Sequence, residues 1–238
     1  MSRWRFWIDR GGTFTDAVAH RPGGEIVTGK VLSEHPAQAE DAAVRVMREL
    51  MDCDAEAPLP AHRIAEVKMG TTVATNALLE RTGAPTALVV TEGFRDALVI
   101  GDGRRPELFA RRIERPDPLY EHVIETSARV DAQGSELTSL DREQVRADLE
   151  AARAAGCRAC AVALMHGYRH PAHEQVAAAI ARDVGFEQVS ASHEVSPLMK
   201  LVPRGRAAVV DAYVSPVLDR YVARLTSLAF SASVRRAT

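Results

Sequence analysis

WIDRGGTFTD, residues 7–16, places two glycines between two stretches of alternating apolar residues. Before the glycines, Trp4, Phe6 and Ile8 recur at every second position, the period of a strand with one buried face. After them, TFTDAVAH continues as a second strand, and GEIVTGKVL, following Pro22-Gly23-Gly24, reads as a third. Three consecutive strands joined by short glycine-bearing turns make an antiparallel meander. Pro36 then opens a helix, PAQAEDAAVRVMRELM, with Ala39, Ala43, Val46, Met47 and Leu50 on one stripe. A short strand, AEVKMG, leads into the helix TTVATNALLER with Thr71 or Thr72 as its N-cap, and TALVVT is a buried strand. The order β-β-β-α-β-α-β predicts a ribonuclease-H-like half. A dinucleotide-binding fold would take its first strand straight into a helix.

The residue chemistry of the opening turn points to a polyanion. Gly11 and Gly12 let the backbone approach a phosphate, and successive amides in such a turn form an anion nest. Thr13 and Thr15 offer hydroxyls, while Asp9 and Asp16 offer carboxylates to Mg²⁺. The same residues also make a plain hairpin, so the turn alone leaves both readings open. In GTTVATNALLE, residues 70–80, Thr71 and Thr72 end a strand at a helix start, with Asn76 one turn on. Those groups cap the helix or face an anion or carbonyl oxygen. His193 and Glu194 fall at a predicted strand end beside Pro197, where sites in α/β sheets gather.

Other motifs dissolve in context. Gly24–Val31 spells the start of a P-loop, but Val31 replaces the required hydroxyl and no helix follows Lys30, so it reads as a strand. Cys157 and Cys160 form a Cys-x-x-Cys that enters a strand rather than opening a helix, which favours buried structural thiols. His166, His170 and His173 fit a strand-to-helix loop, with Pro171 at the helix start and Glu174 in its first turn.

Composition sets the outer limits. The 238 residues suffice for one large or two small domains, and 46% hydrophobic with 26% charged residues is ordinary for a folded chain. A net charge of −2 provides no basic field for nucleic acid. Three cysteines make no disulfide framework, and no apolar run reaches membrane-spanning length, so the expected setting is cytoplasmic, with no nucleic-acid and no membrane partner. The expected organisation is a ribonuclease-H-like region over 1–100 and a Gly-, Arg- and Pro-rich loop over 101–118. A second α/β region over 119–225 and an irregular tail over 226–238 follow. That second region reads as helix DREQVRADLEAARAAG, strand ACAVALMHG, helix PAHEQVAAAIARDVG and strand QVSASHEV. VVDAYVSPVLDRYVARL follows as strand or turn into a helix.

Seven segments in order, IDRGGTFTD, GKVLSEHP, MGTTVATNALLERTG, TEGFRDALVIG, RPELF, SHEVSP and VDAYVSPVLDRYV, resemble the N-terminal portion of the hydantoinase A / 5-oxoprolinase proteins. The resemblance runs from residue 6 to about 225 and implies an actin / sugar-kinase / Hsp70-like α/β fold with a mixed sheet. It implies that residues 9–16 form the first phosphate loop for ATP and Mg²⁺, in an enzyme that phosphorylates a lactam carbonyl oxygen and then opens the ring by hydrolysis. Amide resonance makes that carbonyl a poor electrophile without such activation. The implied roles are metal handling by Asp9 and Asp16, and phosphate binding by Gly11, Gly12, Thr13 and Thr15. Thr72 and Asn76 would be catalytic, and Thr71, Arg95, Asp96 and His193 would face the substrate. The implied partners are a small cyclic amide and a B-type subunit or C-terminal half, with a homo-oligomer also open. No second Gly-Gly-Thr loop follows residue 225. Asp102-Gly103 and Ala110-Arg111 depart from the family pattern. A catalytically incomplete fragment or interaction module, and a small-molecule kinase of the same fold, are the alternative readings.

Overall fold

The computed structural model describes residues 3–34, 40–54, 59–103, 109 and 116–229. Pro36 itself, most of the 101–118 loop and the tail beyond residue 229 lie outside the described residues, and the helix expected to open at Pro36 begins at Ala42, with residues 40 and 41 not helical. The chain divides into two compact units, residues 1–80 with 217–238, and residues 81–216.

The first unit is a four-stranded sheet built from β1 (Trp4–Arg10), β2 (Phe14–His20), β3 (Ile26–Leu32) and β4 (Ile64–Thr71). Its order is β3-β2-β1-β4, antiparallel except for the parallel β1/β4 pair. That is the order the meander reading requires. Alternation in β1 and β2 buries Trp4, Phe6, Ile8, Ala17 and Ala19 on one face, against Val44, Val46 and Met47 of α1 (Ala42–Met51). Helix α1 starts where Asp41 accepts a hydrogen bond from the Ala43 amide at 2.9 Å. It lies so close to β3 that a Cβ at Gly29 would meet Val46 at 2.8 Å. The short helix α2 (Val73–Leu79) follows β4.

The second unit is a wholly parallel sheet of order β10-β9-β5-β6, formed by β5 (Thr86–Thr91), β6 (His122–Thr126), β9 (Ala159–Ala163) and β10 (Gln188–Ala191). The expected boundary near residue 100 therefore moves to 80/81, because TALVVT pairs with β6 and β9 instead of extending the first sheet. Helices α4 (Arg142–Ala154) and α5 (Ala172–Val184) cover one face through Val145, Leu149, Ala177 and Ala181. Ala208, Val209 and Ala212 of α7 (Leu201–Ala229) pack on the opposite side of β5 and β9, with Leu88, Val90 and Ala161. Burial on both faces explains why β5 and β9 read as continuous apolar runs. Not foreseen from the sequence are β6, α3 (Ala97–Ile100) and the two-stranded ribbon of β7 (Arg129–Val130) with β8 (Glu136–Thr138). The strand expected to run through His193 stops at Ala191, and α6 (Ser192–Val195) takes over. The segment from Val209 onward is helix throughout, part of the single helix α7, with Pro216 inside it.

Cys157 and Cys160 are fully buried, as the strand context predicted. Burial, with a smaller push from Glu121, raises the Cys157 thiol to about 11. Burial, then Cys157, raises Cys160 to about 12. At pH 8 a thiol reagent is expected to modify half-buried Cys53 in the native chain and to reach the other two only on unfolding, as mass spectrometry would show. Since folding raises both values from 9.0, their contribution to stability is present below pH 9 and declines as pH rises through about 11 to 12.

Candidate functional site

The β1–β2 turn ties one of its amides and the carbonyls of Gly11 and Thr13, and leaves two amides open. The Gly11 amide donates to the Phe14 carbonyl at 3.0 Å, closing the bend. A Cβ at Gly11 would stand 2.9 Å from that same oxygen, so a side chain there would force the turn apart. Ser33 braces the loop from the end of β3. Its amide donates to the Thr13 carbonyl at 2.9 Å and its hydroxyl to the Gly11 carbonyl at 2.7 Å. The amides of Gly12 and Thr13 donate to nothing among the described residues. Two adjacent uncommitted N–H groups at a glycine turn suit an anionic oxygen. The Gly11 amide, expected to share this work, is spent on the turn itself.

Thr15 corrects a second expectation. Strand alternation places it with Ala17 and Ala19, so it is fully buried, and its hydroxyl lies 3.0 Å from that of Ser33. It braces the phosphate candidate from within and presents no hydroxyl to a ligand.

Asp9 and Asp16 are cross-strand partners, and both are exposed on the sheet face opposite α1. Lys30, a strand residue of β3 and not a P-loop lysine, pairs with Asp16 at 2.8 Å between two exposed side chains. Asp9 has no hydrogen-bond or ion-pair partner among the described residues. A Cβ at Gly70 would be 3.4 Å from its Oδ1, so the absence of a side chain there leaves the carboxylate room. Like charges directly opposite on a sheet repel, and a cation between them would relieve the strain. Among the described residues no group of three or more His, Cys, Asp or Glu could hold a metal. Two carboxylates completed by water and phosphate oxygens fit Mg²⁺, which seldom uses an all-protein cage.

Helix α2 comes up beside the turn. The Thr71 hydroxyl accepts from the Val73 amide at 3.2 Å, which makes Thr71 the working cap. Thr72 donates to the Arg10 carbonyl through its amide at 3.2 Å and its hydroxyl at 3.4 Å. Asn76 follows, with its Nδ2 3.6 Å from where a Gly12 Cβ would sit, and its side-chain carboxamide has no hydrogen-bond partner among the described residues. Thr71 and Thr72 therefore fasten α2 to the turn, and Asn76 is the free polar group of the three.

Arg10 escaped the sequence reading. It shares the core face of β1 with Phe6 and Ile8, lies 3.6 Å from Asp41, and stands over the Tyr221 ring at 5.1 Å from its centroid. Burial, then the Asp41 charge, pushes the Tyr221 hydroxyl up to about 12 despite Arg10. Period-2 alternation carried the signal for Arg10; nothing local pointed to Ser33.

The remaining candidates belong to the second unit. Arg95 lies 3.7 Å from Glu125, and Asp96 starts α3 with its carbonyl accepting from the Ile100 amide at 2.8 Å and no cap bond to its carboxylate. His193 meets Glu174 through Nδ1 at 2.7 Å.

Comparison with known proteins places this geometry in a lineage. The chain is 39% identical to 5-oxoprolinase 1 of Arabidopsis thaliana over 94% of its own length and 20% of that protein. It is 33% identical to caprolactamase subunit alpha of Pseudomonas jessenii, over 95% of this chain and 33% of that one. The crystal structure of the ATP-dependent caprolactamase from the same organism matches with a TM-score of 0.79 and 30% identity, over 98% of this chain and 35% of that chain. The chain thus spans about a fifth to a third of these relatives. The hydantoinase/oxoprolinase N-terminal region matches residues 5–185, and the chain belongs to that family.

Proposed function

We propose that the chain is the phosphate-gripping portion of an ATP-dependent cyclic-amide hydrolase. The observation that carries this reading is the braced turn with open amides at Gly12 and Thr13 beside the paired carboxylates of Asp9 and Asp16. The names of the relatives, 5-oxoprolinase and ATP-dependent caprolactamase, support a cyclic amide as substrate and ATP as co-substrate.

Gly12 and Thr13 donate to phosphate oxygens, and the tight bend at Gly11 lets them come close. Asp9 and Asp16 hold Mg²⁺, with Lys30 tempering the charge of the second. Asn76 faces the turn from α2, while Thr71 and Thr72 position that helix. Bound there, ATP supplies the phosphoryl group that makes an amide oxygen a leaving group, so the protein's task is positioning and charge neutralisation. Arg95, Asp96 and His193 remain proposed substrate-side residues. A B-type subunit or C-terminal remainder, acting in the cytoplasm, completes ring opening. Among the described residues no helix is long and apolar enough to cross a membrane.

The short span relative to the relatives favours a second reading for the chain by itself, a module that binds phosphate without turnover. Calorimetric titration with Mg-ATP, with and without 5-oxoproline, hydantoin or caprolactam, decides the matter. Binding with lactam-stimulated phosphate release is the expected result for the hydrolase. Binding without release assigns the module, a phosphorylated product assigns a kinase, and no binding overturns the phosphate site.

A further inference from the structure

In the second unit a fully buried carboxylate grips a histidine by one ring nitrogen and leaves the other without a hydrogen bond among the described residues. Glu174, in the first turn of α5, accepts at Oε1 from the Leu164 amide (2.8 Å), the Ser192 hydroxyl (2.6 Å) and Arg204 Nη1 (2.7 Å). At Oε2 it accepts from the His193 amide (3.0 Å) and His193 Nδ1 (2.7 Å). Five donors converging on one carboxyl group call for its ionised, acceptor-only form. Nδ1 must then carry a proton, and in the tautomer this selects for an uncharged imidazole the lone pair sits on Nε2.

Nε2 makes no hydrogen bond among the described residues, and its nearest charged neighbour is Glu194 Oε1 at 3.7 Å. The His193 side chain keeps 11% of its surface open, against none for Glu174 and Arg204. The surroundings fix the ring. Arg204 Nη2 donates to the Leu164 carbonyl at 2.6 Å, and a side chain at Gly167 would overlap Glu174. His193 also follows β10 at the carboxyl end of a wholly parallel sheet, the edge at which open α/β sheets bind ligands. An imidazole held in one tautomer by a buried carboxylate, with its second nitrogen open at that edge, is a prepared acceptor.

We infer that His193 is a binding residue for the cyclic amide, its Nε2 accepting a hydrogen bond from the ring N–H, with Glu174 as the positioning residue that fixes the tautomer. This rests on the cyclic-amide reading proposed above. It gives Glu174 a part in recognition and assigns His193 a single bond to a single atom of the ligand.

The test is nitrogen-detected NMR of the histidine rings in the full ¹⁵N-labelled chain, with His193→Gln identifying the resonance. The ring is expected to be protonated at Nδ1. Caprolactam should shift Nε2 saturably, and N-methylcaprolactam, which lacks the N–H, should need at least about tenfold more ligand. Equal response to both lactams overturns the inference. So does a bare Nδ1, or no shift at His193 with caprolactam, hydantoin and 5-oxoproline alike. Mg-ATP added to the same sample and followed at the Gly12 and Thr13 amides keeps the two claims apart. If those amides respond while His193 is silent to every lactam, the inference falls and the phosphate site stands.

Discussion

Asp9→Asn is expected to weaken Mg-ATP binding by about 100-fold or more while leaving the fold intact or slightly firmer. The opposite signs follow from one geometry. Asp9 faces Asp16 across the β1–β2 pair and has no other described partner, so its charge costs the folded chain a like-charge contact. The asparagine removes that repulsion without leaving a buried group unpaired, and surface changes of this kind shift stability by only about 0.5 kcal/mol. The same charge is what a divalent ion would need, because Asp16 is already shared with Lys30 at 2.8 Å. Loss of outer groups around a metal already costs about 10–100-fold, and a direct carboxylate ligand should cost more. Calorimetry with Mg-ATP and a thermal melt on the same sample check both signs, and turnover in a complete enzyme should vanish. Affinity close to that of the unaltered chain would remove Asp9 from the site.

Glu174→Ala is expected to destabilise the second unit by about 3–5 kcal/mol, the usual cost of stranding one partner of a buried ion pair. Arg204 is fully buried, and its Nε already has no hydrogen-bond partner among the described residues. Removing Glu174 would leave its guanidinium without a counter-charge and deprive the Leu164 amide, the Ser192 hydroxyl and His193 Nδ1 of their acceptor. Both tryptophans, Trp4 and Trp7, lie in the first unit, so their fluorescence reports on that unit, whereas hydrogen exchange at β9 and β10 reports on the second. Exchange at those strands should accelerate first. Replacing Glu174 and Arg204 together by leucine should recover much of the loss, since two apolar residues leave no stranded charge. A loss below about 1 kcal/mol for Glu174→Ala would mean that water reaches Arg204.

These residues also mark where sequence reading succeeds. The meander was legible because β1 and β2 bury one face only, so alternation announces both strand and face. The same rule places Thr15 with Ala17 and Ala19, away from Asp16, and Arg10 with Phe6 and Ile8. Chemistry at the glycine turn drew attention away from that signal. TALVVT shows the opposite limit. A strand buried on both faces is apolar throughout, and nothing in such a run names its neighbours, so its place between β6 and β9 was invisible. Glu174 looked like an ordinary first-turn acid that favours a helix start. Its partners at residues 164, 192 and 204 are set by tertiary packing, which no local pattern records.

Helix α7 supplies the first unit with Tyr221, under the Arg10 guanidinium, and Leu225, against the core around Phe6. The β1–β4 strands leave the ribosome early, yet these two contacts can form only after the whole of residues 81–216 has been synthesised. Vectorial synthesis therefore hands the inserted unit its full set of partners first and keeps the earlier strands waiting, with the β1 core around Phe6 and Arg10 lacking its cover from Leu225 and Tyr221. Chaperone demand during translation should accordingly fall on the N-terminal strands.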